Sequence, residues 1–231
     1  MKTRNVATFI FLILFASNAF SQLGIKAGVN MANEIHSFNK ESISAAFASE
    51  NLNGLHVGLV YQLNPKKSGF GFDLGALFSQ KGNMFNYDNN SGIEENIVRG
   101  YHEINYIDVP VNLRLKLKFG GVVGIYATGG VYGSYALNGQ TVFESDISTL
   151  RYEESFDDFM DRIDYGYSVG GGIEFLNKFQ IGVKWDQALQ KKDASKSILE
   201  KVGDADGGMN PNLEAKKQSR VFSVSLTFLL W

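Results

Sequence analysis

Few side chains in this sequence are equipped for chemistry. The chain has three histidines and no cysteine among its 231 residues. Without thiols it has no disulfide framework, no thiolate metal site and no lipid-modified N-terminal cysteine. His36 and His102 fall in or beside long polar stretches. Either one, joined to Asp108 or Ser134, would give the base and partner of a hydrolase acting on lipid or peptide. Nothing in their spacing singles out such a pair, so the expectation is a protein that is not an enzyme and has no catalytic residues. Carboxylates gather in two places: Glu144, Asp146, Glu153, Glu154, Asp157, Asp158, Asp161 and Asp164 in one stretch, and Gly203-Asp204-Ala205-Asp206-Gly207-Gly208 in another. Neither has the D-x-D-x-D-G order and later Glu of a calcium-binding hand. Solvated loops, no metal and no cofactor are expected. The formal charge of −2 is too small to suggest a nucleic-acid partner.

The elements that would position these residues share a two-residue period. Eight segments show it: Gln22–Met31, Gly54–Leu63, Phe70–Gln80, Tyr106–Phe119, Val122–Leu137, Tyr165–Phe175, Phe179–Leu189 and Ser219–Leu230. In the fourth, Ile107, Val109, Val111, Leu113, Leu115, Leu117 and Phe119 alternate with Asp108, Pro110, Asn112, Arg114, Lys116 and Lys118. Such alternation marks β-strands with one apolar and one polar face. The connections alternate as well. Asn64–Gly69, Gly120-Gly121 and Leu176-Asn177-Lys178 are tight, the glycine pair reading as a two-residue hairpin. The stretches near 32–53, 81–105, 138–164 and 190–218 are long and polar. An up-and-down antiparallel sheet would then carry every tight turn at one end and every long loop at the other.

Alternation alone does not say which face meets a core. A secreted soluble, lipocalin-like binder has apolar residues inside; a membrane barrel has them outside. Four features favour the second. The polar parity carries Gly24, Gly28, Gly58, Gly71, Gly75, Gly124, Gly130, Gly170, Gly172 and Gly182, which give a water-facing sheet nothing but make room in a narrow lumen. The same parity carries both signs of charge, Lys26, Arg114, Lys116 and Lys184 against Asp73, Glu174 and Asp186, a set expected to pair inside a lumen. The apolar parity carries no charge through the strand centres, where a lipid-facing Lys or Arg costs ~2–4 kcal/mol. Aromatics on that parity gather at strand ends: Tyr61, Phe70, Phe72, Phe119, Phe175 and Phe179 beside the tight turns, Phe78, Tyr135, Tyr167 and Trp185 towards the loops. Two such rings suit membrane–water interfaces.

These features predict an all-β fold, an eight-stranded antiparallel up-and-down transmembrane β-barrel with three short periplasmic turns and four long outer loops. Its lumen would be filled by its own side chains rather than open as a bulk pore. Pro110 is expected near the outer rim, with a bulge at Tyr106-Ile107 absorbing its missing N–H. Residues 1–21 read as a cleaved signal peptide, from Lys2 and Arg4, the apolar run Val6–Ala16 and the small residues Ala19 and Ser21. Residues 22–231 would form the barrel domain, placed in the bacterial outer membrane after export to the periplasm.

Several segments carry a family resemblance: LGIKAGVN (Leu23–Asn30), YIDVPVNLRLKL (Tyr106–Leu117), GVYGSYAL (Gly130–Leu137), YGYSVGGGIEF (Tyr165–Phe175) and VFSVSLTF (Val221–Phe228). Together they resemble the PorT-type outer-membrane β-barrel family of Bacteroidetes-like bacteria. The resemblance implies an eight-stranded barrel, and some relatives assist protein secretion across the outer membrane. It also implies a terminal aromatic in register with the lipid face for the barrel-assembly machinery. Phe228 holds that register, and Leu229-Leu230-Trp231 overhangs it. The expected function is a structural or accessory role through the outer loops. Outer-membrane lipid and a surface or secretion protein are the expected partners; a barrel enzyme with rim residues is the alternative.

Overall fold

The computed structural model describes residues 21–38, 49–63, 69–87, 98–144, 149–153, 156, 162–190, 192–193 and 215–230. Residues 1–20 of the expected leader 1–21, residues 64–68 of the first tight turn, Asp146, Glu154, Asp157, Asp158, Asp161, the 203–208 segment and Trp231 lie outside them, as do the side chains of His36 and Glu144.

Among the described residues there are ten strands: β1 (Ser21–Phe38), β2 (Ser49–Leu63), β3 (Phe70–Tyr87), β4 (Val98–Phe119), β5 (Val123–Glu144), β6 (Thr149–Glu153), β7 (Ile163–Phe175), β8 (Phe179–Ala188), β9 (Lys192–Asp193) and β10 (Ala215–Leu229). Eight of them follow one another as antiparallel neighbours in the order β1-β2-β3-β4-β5-β7-β8-β10, and β10 pairs back onto β1. The sheet is therefore a closed eight-stranded barrel. The two short strands lie at its loop end, β6 on the upper part of β5 and β9 on β10. Stepping across register partners from Ser21 through Leu63, Phe72, Leu113, Gly129, Val169, Trp185 and Phe222 returns to β1 at Met31. That shear of about ten residues over eight strands corresponds to a tilt of about 40°.

Burial is inverted relative to a water-soluble sheet. Leu113 is 59% exposed and Leu226 64%, whereas Arg114, Glu174 and Asp186 are 3%, 1% and 2% exposed. The outward apolar ladder runs round all eight strands, far beyond the ~300–600 Å² of the largest apolar patch on a typical soluble monomer. On β2 it spans Leu55 to Leu63. Nine residues at ~3.3 Å each and about 40° of tilt give about 20–23 Å, close to the apolar band of a membrane barrel.

Three details depart from the sequence-based expectations. Most long connections are shorter than expected because the strands run on: β1 continues to Phe38, β3 to Tyr87, β5 to Glu144, and β4 already starts at Val98. Alternation of polarity fades above the apolar belt, yet the ladder of backbone hydrogen bonds continues there. Pro110 is not at the rim. Outward apolar residues Val109 and Ile107 continue above it, and its ring is buried against Gly75, where an added Cβ would meet Pro110 Cγ at 3.0 Å. The β3–β4 ladder skips only the pairs beside the proline, with Leu74 opposite Val111 and Leu77 opposite Asp108 in unchanged register. The bulge does occur, between Asn105 and Tyr106, but the extra residue is Leu137 on β5.

Of the two described tight turns, Leu176–Lys178 holds the three residues expected, whereas the glycine turn is one residue longer than the expected two-residue hairpin. Phe119 pairs with Val123 and Phe175 with Phe179, so both loops hold three residues. Each turns through two residues with positive φ: Gly120 (59°) and Gly121 (74°) in one, Leu176 (54°) and Asn177 (56°) in the other. Glycine and asparagine suit that region. Leu176 does not, because its Cβ crowds the following carbonyl at a cost of ~1–2 kcal/mol. Leu176→Gly is therefore expected to raise stability by about 0.5–1 kcal/mol, after allowing for the greater backbone entropy glycine loses. The urea midpoint of the detergent-solubilised barrel checks this; an unchanged or lower midpoint would count against strain at Leu176.

Candidate functional site

The lumen is lined by the inward parity of all eight strands, and its charges are paired in layers. Nearest the tight turns, Gln62 and Gln180 donate to each other's carboxamide oxygens, both at 3.0 Å. Gln180 Nε2 also donates to Glu174 Oε2 at 2.8 Å, and Glu174 forms an ion pair with Lys116. In the next layer, Arg114 grips Asp73 with two nitrogens, Nε to Oδ1 at 2.8 Å and Nη2 to Oδ2 at 2.5 Å. The guanidinium lies over the Tyr126 ring, 4.0 Å from its centroid. Tyr126 reaches across the lumen because Gly172 and Gly182 leave room. A Cβ on Gly172 would meet Tyr126 Oη at 2.5 Å, and on Gly182 the same hydroxyl would be the nearest atom.

Further up, Asn30 organises a neutral cluster. Its Nδ2 donates to Ser79 Oγ (2.9 Å) and to the Gln80 carbonyl (3.0 Å), so its Oδ1 accepts from Ser223 Oγ (3.0 Å) and from His56 Nδ1 (2.8 Å). His56 is thereby held as a donor at Nδ1. Beside this cluster, Lys184 pairs with Asp186 at 2.6 Å. Near the loop end, Lys81 Nζ donates to Asp108 Oδ1 (2.8 Å) and Ser134 Oγ (3.1 Å). It sits between two aromatic faces, 5.0 Å from the Tyr106 centroid and 5.1 Å from that of Tyr132. A cavity of about 10 Å³ separates these layers, bordered by Lys26, His56, Lys81, Asp108, Lys184 and Asp186; that is room for about one water.

Of the charges the sequence assigns to the lumen, Asp73, Arg114, Lys116, Glu174, Lys184 and Asp186 are thus brought together in pairs. Lys26 makes no hydrogen bond or ion pair among the described residues. Lys81 is the residue that sequence reasoning missed, because Phe70–Gln80 ended one position short of it. The continued alternation Ser79, Lys81, Asn83 was the signal. Asp108 and Ser134, the rim candidates for a hydrolase, both lie in the wall of the lumen and bind Lys81. His102 Nδ1 lies 3.1 Å from Thr141 Oγ1.

The interface aromatics all face outward. Phe70, Phe72, Phe119, Phe175 and Phe179 stand at the tight-turn end, with Phe179 5.1 Å from Phe228. Tyr61 is half-buried among its neighbours. Tyr135 and Trp185 stand at the loop end, Trp185 edge-on to Tyr167 at 6.1 Å. Just beyond them the outward residues become polar. Among the described residues, no group of three or more His, Asp or Glu side chains is placed to hold a metal.

An outward apolar belt around a lumen of paired charges is the arrangement of a barrel that spans a membrane. Residues 15–192, well over half the chain, match the family model described as the outer membrane protein beta-barrel domain. The chain belongs to this family. It is an integral β-barrel of the bacterial outer membrane. The match stops before β10, the strand that closes the barrel in the structure. A search of curated proteins gives no match. Among solved structures, the chain is similar to the outer membrane protein OprG from Pseudomonas aeruginosa, with 12% identity over 91% of this chain and 96% of that one, at a TM-score of 0.47. It is also similar to Ail, the attachment invasion locus protein of Yersinia pestis (12% identity, 90% and 99% covered, TM-score 0.36), and to Neisserial surface protein A (8%, 89% and 96%, TM-score 0.37).

Two substitutions test the lumen. Asp108→Ala leaves a buried ammonium without its carboxylate and is expected to cost about 3–5 kcal/mol, much of it regained in Lys81→Met/Asp108→Leu. Unfolding midpoints of the single and double variants check this; equal losses in both would mean that the charge pairing is unimportant. Gly182→Ala pushes on the Tyr126 hydroxyl, which Gly172 confines from the other side. It should cost about 1–3 kcal/mol, and less in a Tyr126→Phe background, where the remaining neighbours of the new Cβ lie at 3.4 and 3.6 Å. A double-mutant cycle with no coupling would contradict this packing.

Proposed function

We propose that this outer-membrane barrel is a non-catalytic anchor that works through the part of its sheet standing above the lipid belt. The observation that carries this reading is a reversal of polarity along β4 and β5. Below Asn105 the outward residues are apolar and the inward ones polar. Above it, Glu103, Asn138 and Gln140 face outward, while Ile104 and Ala136 are buried inward against Phe156. Arg162 covers the Phe156 ring at 5.0 Å and donates to the Ala136 carbonyl at 3.3 Å. This upper region is built as a water-exposed fold, and β6 extends it with the exposed side chains Arg151, Tyr152 and Glu153. A paired strand extension held outside a membrane by a sealed barrel suits the capture of a protein.

The partner class follows the PorT-type resemblance, a component of surface assembly or secretion. Aromatics at the two ends of the belt serve as interfacial anchors in this reading. Leu229, expected to overhang, instead ends the β10 ladder opposite Gly24 and is buried, and the Leu230 N–H donates to the Leu23 carbonyl; Phe228, the last outward aromatic of β10, serves the assembly machinery during insertion in this reading. The alternative of a rim enzyme is disfavoured by Ser134 and Asp108, which are engaged with Lys81 instead of a histidine.

Replacing residues 139–161 by a short flexible linker is expected to leave a folded outer-membrane barrel, seen as a heat-modifiable gel band, while abolishing the surface or export phenotype. A photo-crosslinker at Tyr152 should give a discrete protein adduct in living cells that one at lipid-facing Leu113 does not. Ser134→Ala should leave the phenotype intact; its loss at normal protein level would favour the enzyme. Identical adducts from both crosslinking positions would sink the docking role.

A further inference from the structure

One inward cation is left over when the lumen charges are paired. Arg114, Lys116, Lys184 and Lys81 each hold a carboxylate, whereas Lys26 has no ion pair or hydrogen bond among the described residues. Lys26 borders the cavity of about 10 Å³ that lies between the charge layers. Two acceptors on the same cavity are also unspent. Asp186 is 2% exposed, its Oδ2 is taken by Lys184, and its Oδ1 is buried without a hydrogen-bond partner. His56 spends Nδ1 as a donor to Asn30 Oδ1, so in the neutral ring Nε2 is an acceptor. Gly28 lets that edge of the ring lie against β1, two residues along from Lys26; a Cβ there would meet His56 Nε2 at 2.8 Å.

Charge decides which ligand joins these three groups. Buried Asp164, added to the carboxylates of the ion pairs, offsets Lys26 in the sum, so the lumen presents no net charge for an ion to neutralise. An anion beside Lys26 would face the free oxygen of Asp186, and a cation would face the ammonium groups of Lys26, Lys81 and Lys184. Either is opposed where a misplaced charge is expensive. A neutral molecule that donates twice and accepts once meets no such opposition, and the space admits about one water. Water has a proton for each of the two acceptors and a lone pair for the ammonium. Three polar partners is the usual number for a buried water.

We propose that one water molecule is built into the lumen here, accepting from Lys26 Nζ and donating to Asp186 Oδ1 and His56 Nε2. It makes Lys26 and Lys184 the two cations of a single carboxylate, one through water and the other directly. The barrel thereby keeps an ammonium at a level where no carboxylate meets it. The water is a fixed part of the wall and not a segment of a channel. Lys81 with Asp108 closes the lumen towards the loops, and Arg114 with Asp73 closes it towards the tight turns.

The first test is a crystal structure of the full folded chain in detergent, grown from a bromide solution. The expected result is a single density peak within about 3.2 Å of Lys26 Nζ, Asp186 Oδ1 and His56 Nε2, without the anomalous signal of bromide. A bromide peak would overturn the proposal in favour of an anion site. A Lys26 side chain seated directly on Asp186 Oδ1, or a cavity without density, would overturn it as well. Unfolding midpoints give the solution test. Ser225 borders the cavity, and Ser225→Thr keeps the hydroxyl while adding a methyl group to the space. Filling a dry cavity would raise the midpoint, whereas displacing a bridging water strands Lys26 and Asp186, so the midpoint is expected to fall. In a Lys26→Met background the fall should be smaller, since one of the three partners is gone. A rise in Ser225→Thr would mean a dry cavity, and equal falls in both backgrounds would mean simple overpacking; either result would overturn the bridge.

Discussion

The structure depends on one ladder of backbone hydrogen bonds, the one between β1 and β10. Within hydrocarbon an unpaired N–H or C=O costs several kcal/mol, and an open sheet edge exposes a whole row of them. Pairing from Gly24 with Leu229 to Phe38 with Ala215 removes both edges at once. Closure then dictates the remaining geometry. Eight strands with a shear of about ten fix the tilt, the tilt fixes how many residues cross the apolar layer, and the small circumference leaves a lumen only side-chain wide. Even the defect in the wall follows this logic. Pro110 deletes one donor towards β3, and the barrel accepts the loss where the ring packs onto Gly75 without shifting register.

A lumen that narrow cannot hold solvated charge, so each ionised group needs a partner within it. With the exception of Lys26, the lumen charges assigned from the sequence, together with Lys81 and Asp108, meet that requirement layer by layer. Lys116 meets Glu174, Arg114 meets Asp73, Lys184 meets Asp186 and Lys81 meets Asp108. Breaking such a pair is costly, although a well-packed apolar replacement of both members need not be. The glycines are the steric counterpart of this electrostatic arrangement. Gly172 and Gly182 give up side chains so that one ring, Tyr126, can cross the lumen and cover the guanidinium of Arg114. Charge pairing and glycine placement are thus two consequences of the same small radius.

Much of this was legible in the sequence, because lipid on one side and a tight lumen on the other impose a strict period of two. Ile107 to Phe119 shows it without a break, and the glycine-rich inward parity separated an inside-out barrel from a soluble one. The readings failed where the period weakens. Above the belt the outward face is polar and the inward face partly apolar, so the upper parts of β1, β3, β4 and β5 resembled loops although their backbone pairing continues. Lys81 was lost for that reason. Lys26 was expected to pair because its neighbours do, but distance across a lumen depends on register and shear, which one sequence does not display. The bulge was sensed near Tyr106, yet its extra residue lies on the partner strand, where Leu137 breaks a parity that β4 keeps.

The reversal of polarity along β4 and β5 gives the membrane a boundary that does not depend on hydropathy averages. A strand that is apolar outward at Ile107 and polar outward at Asn105, with Asp108 inward below and Ile104 inward above, has changed solvent within two residue pairs. Lipid rewards the lower pattern, water the upper one, and neither medium would select both. The Leu137 bulge sits at that transition. By inserting one residue it moves Asn138 onto the outward face opposite Asn105, where an uninterrupted strand would have turned it inward. The bulge is therefore the device that lets β5 keep its ladder while exchanging the residues on its two faces. Its position at the edge of the belt follows from what that edge requires.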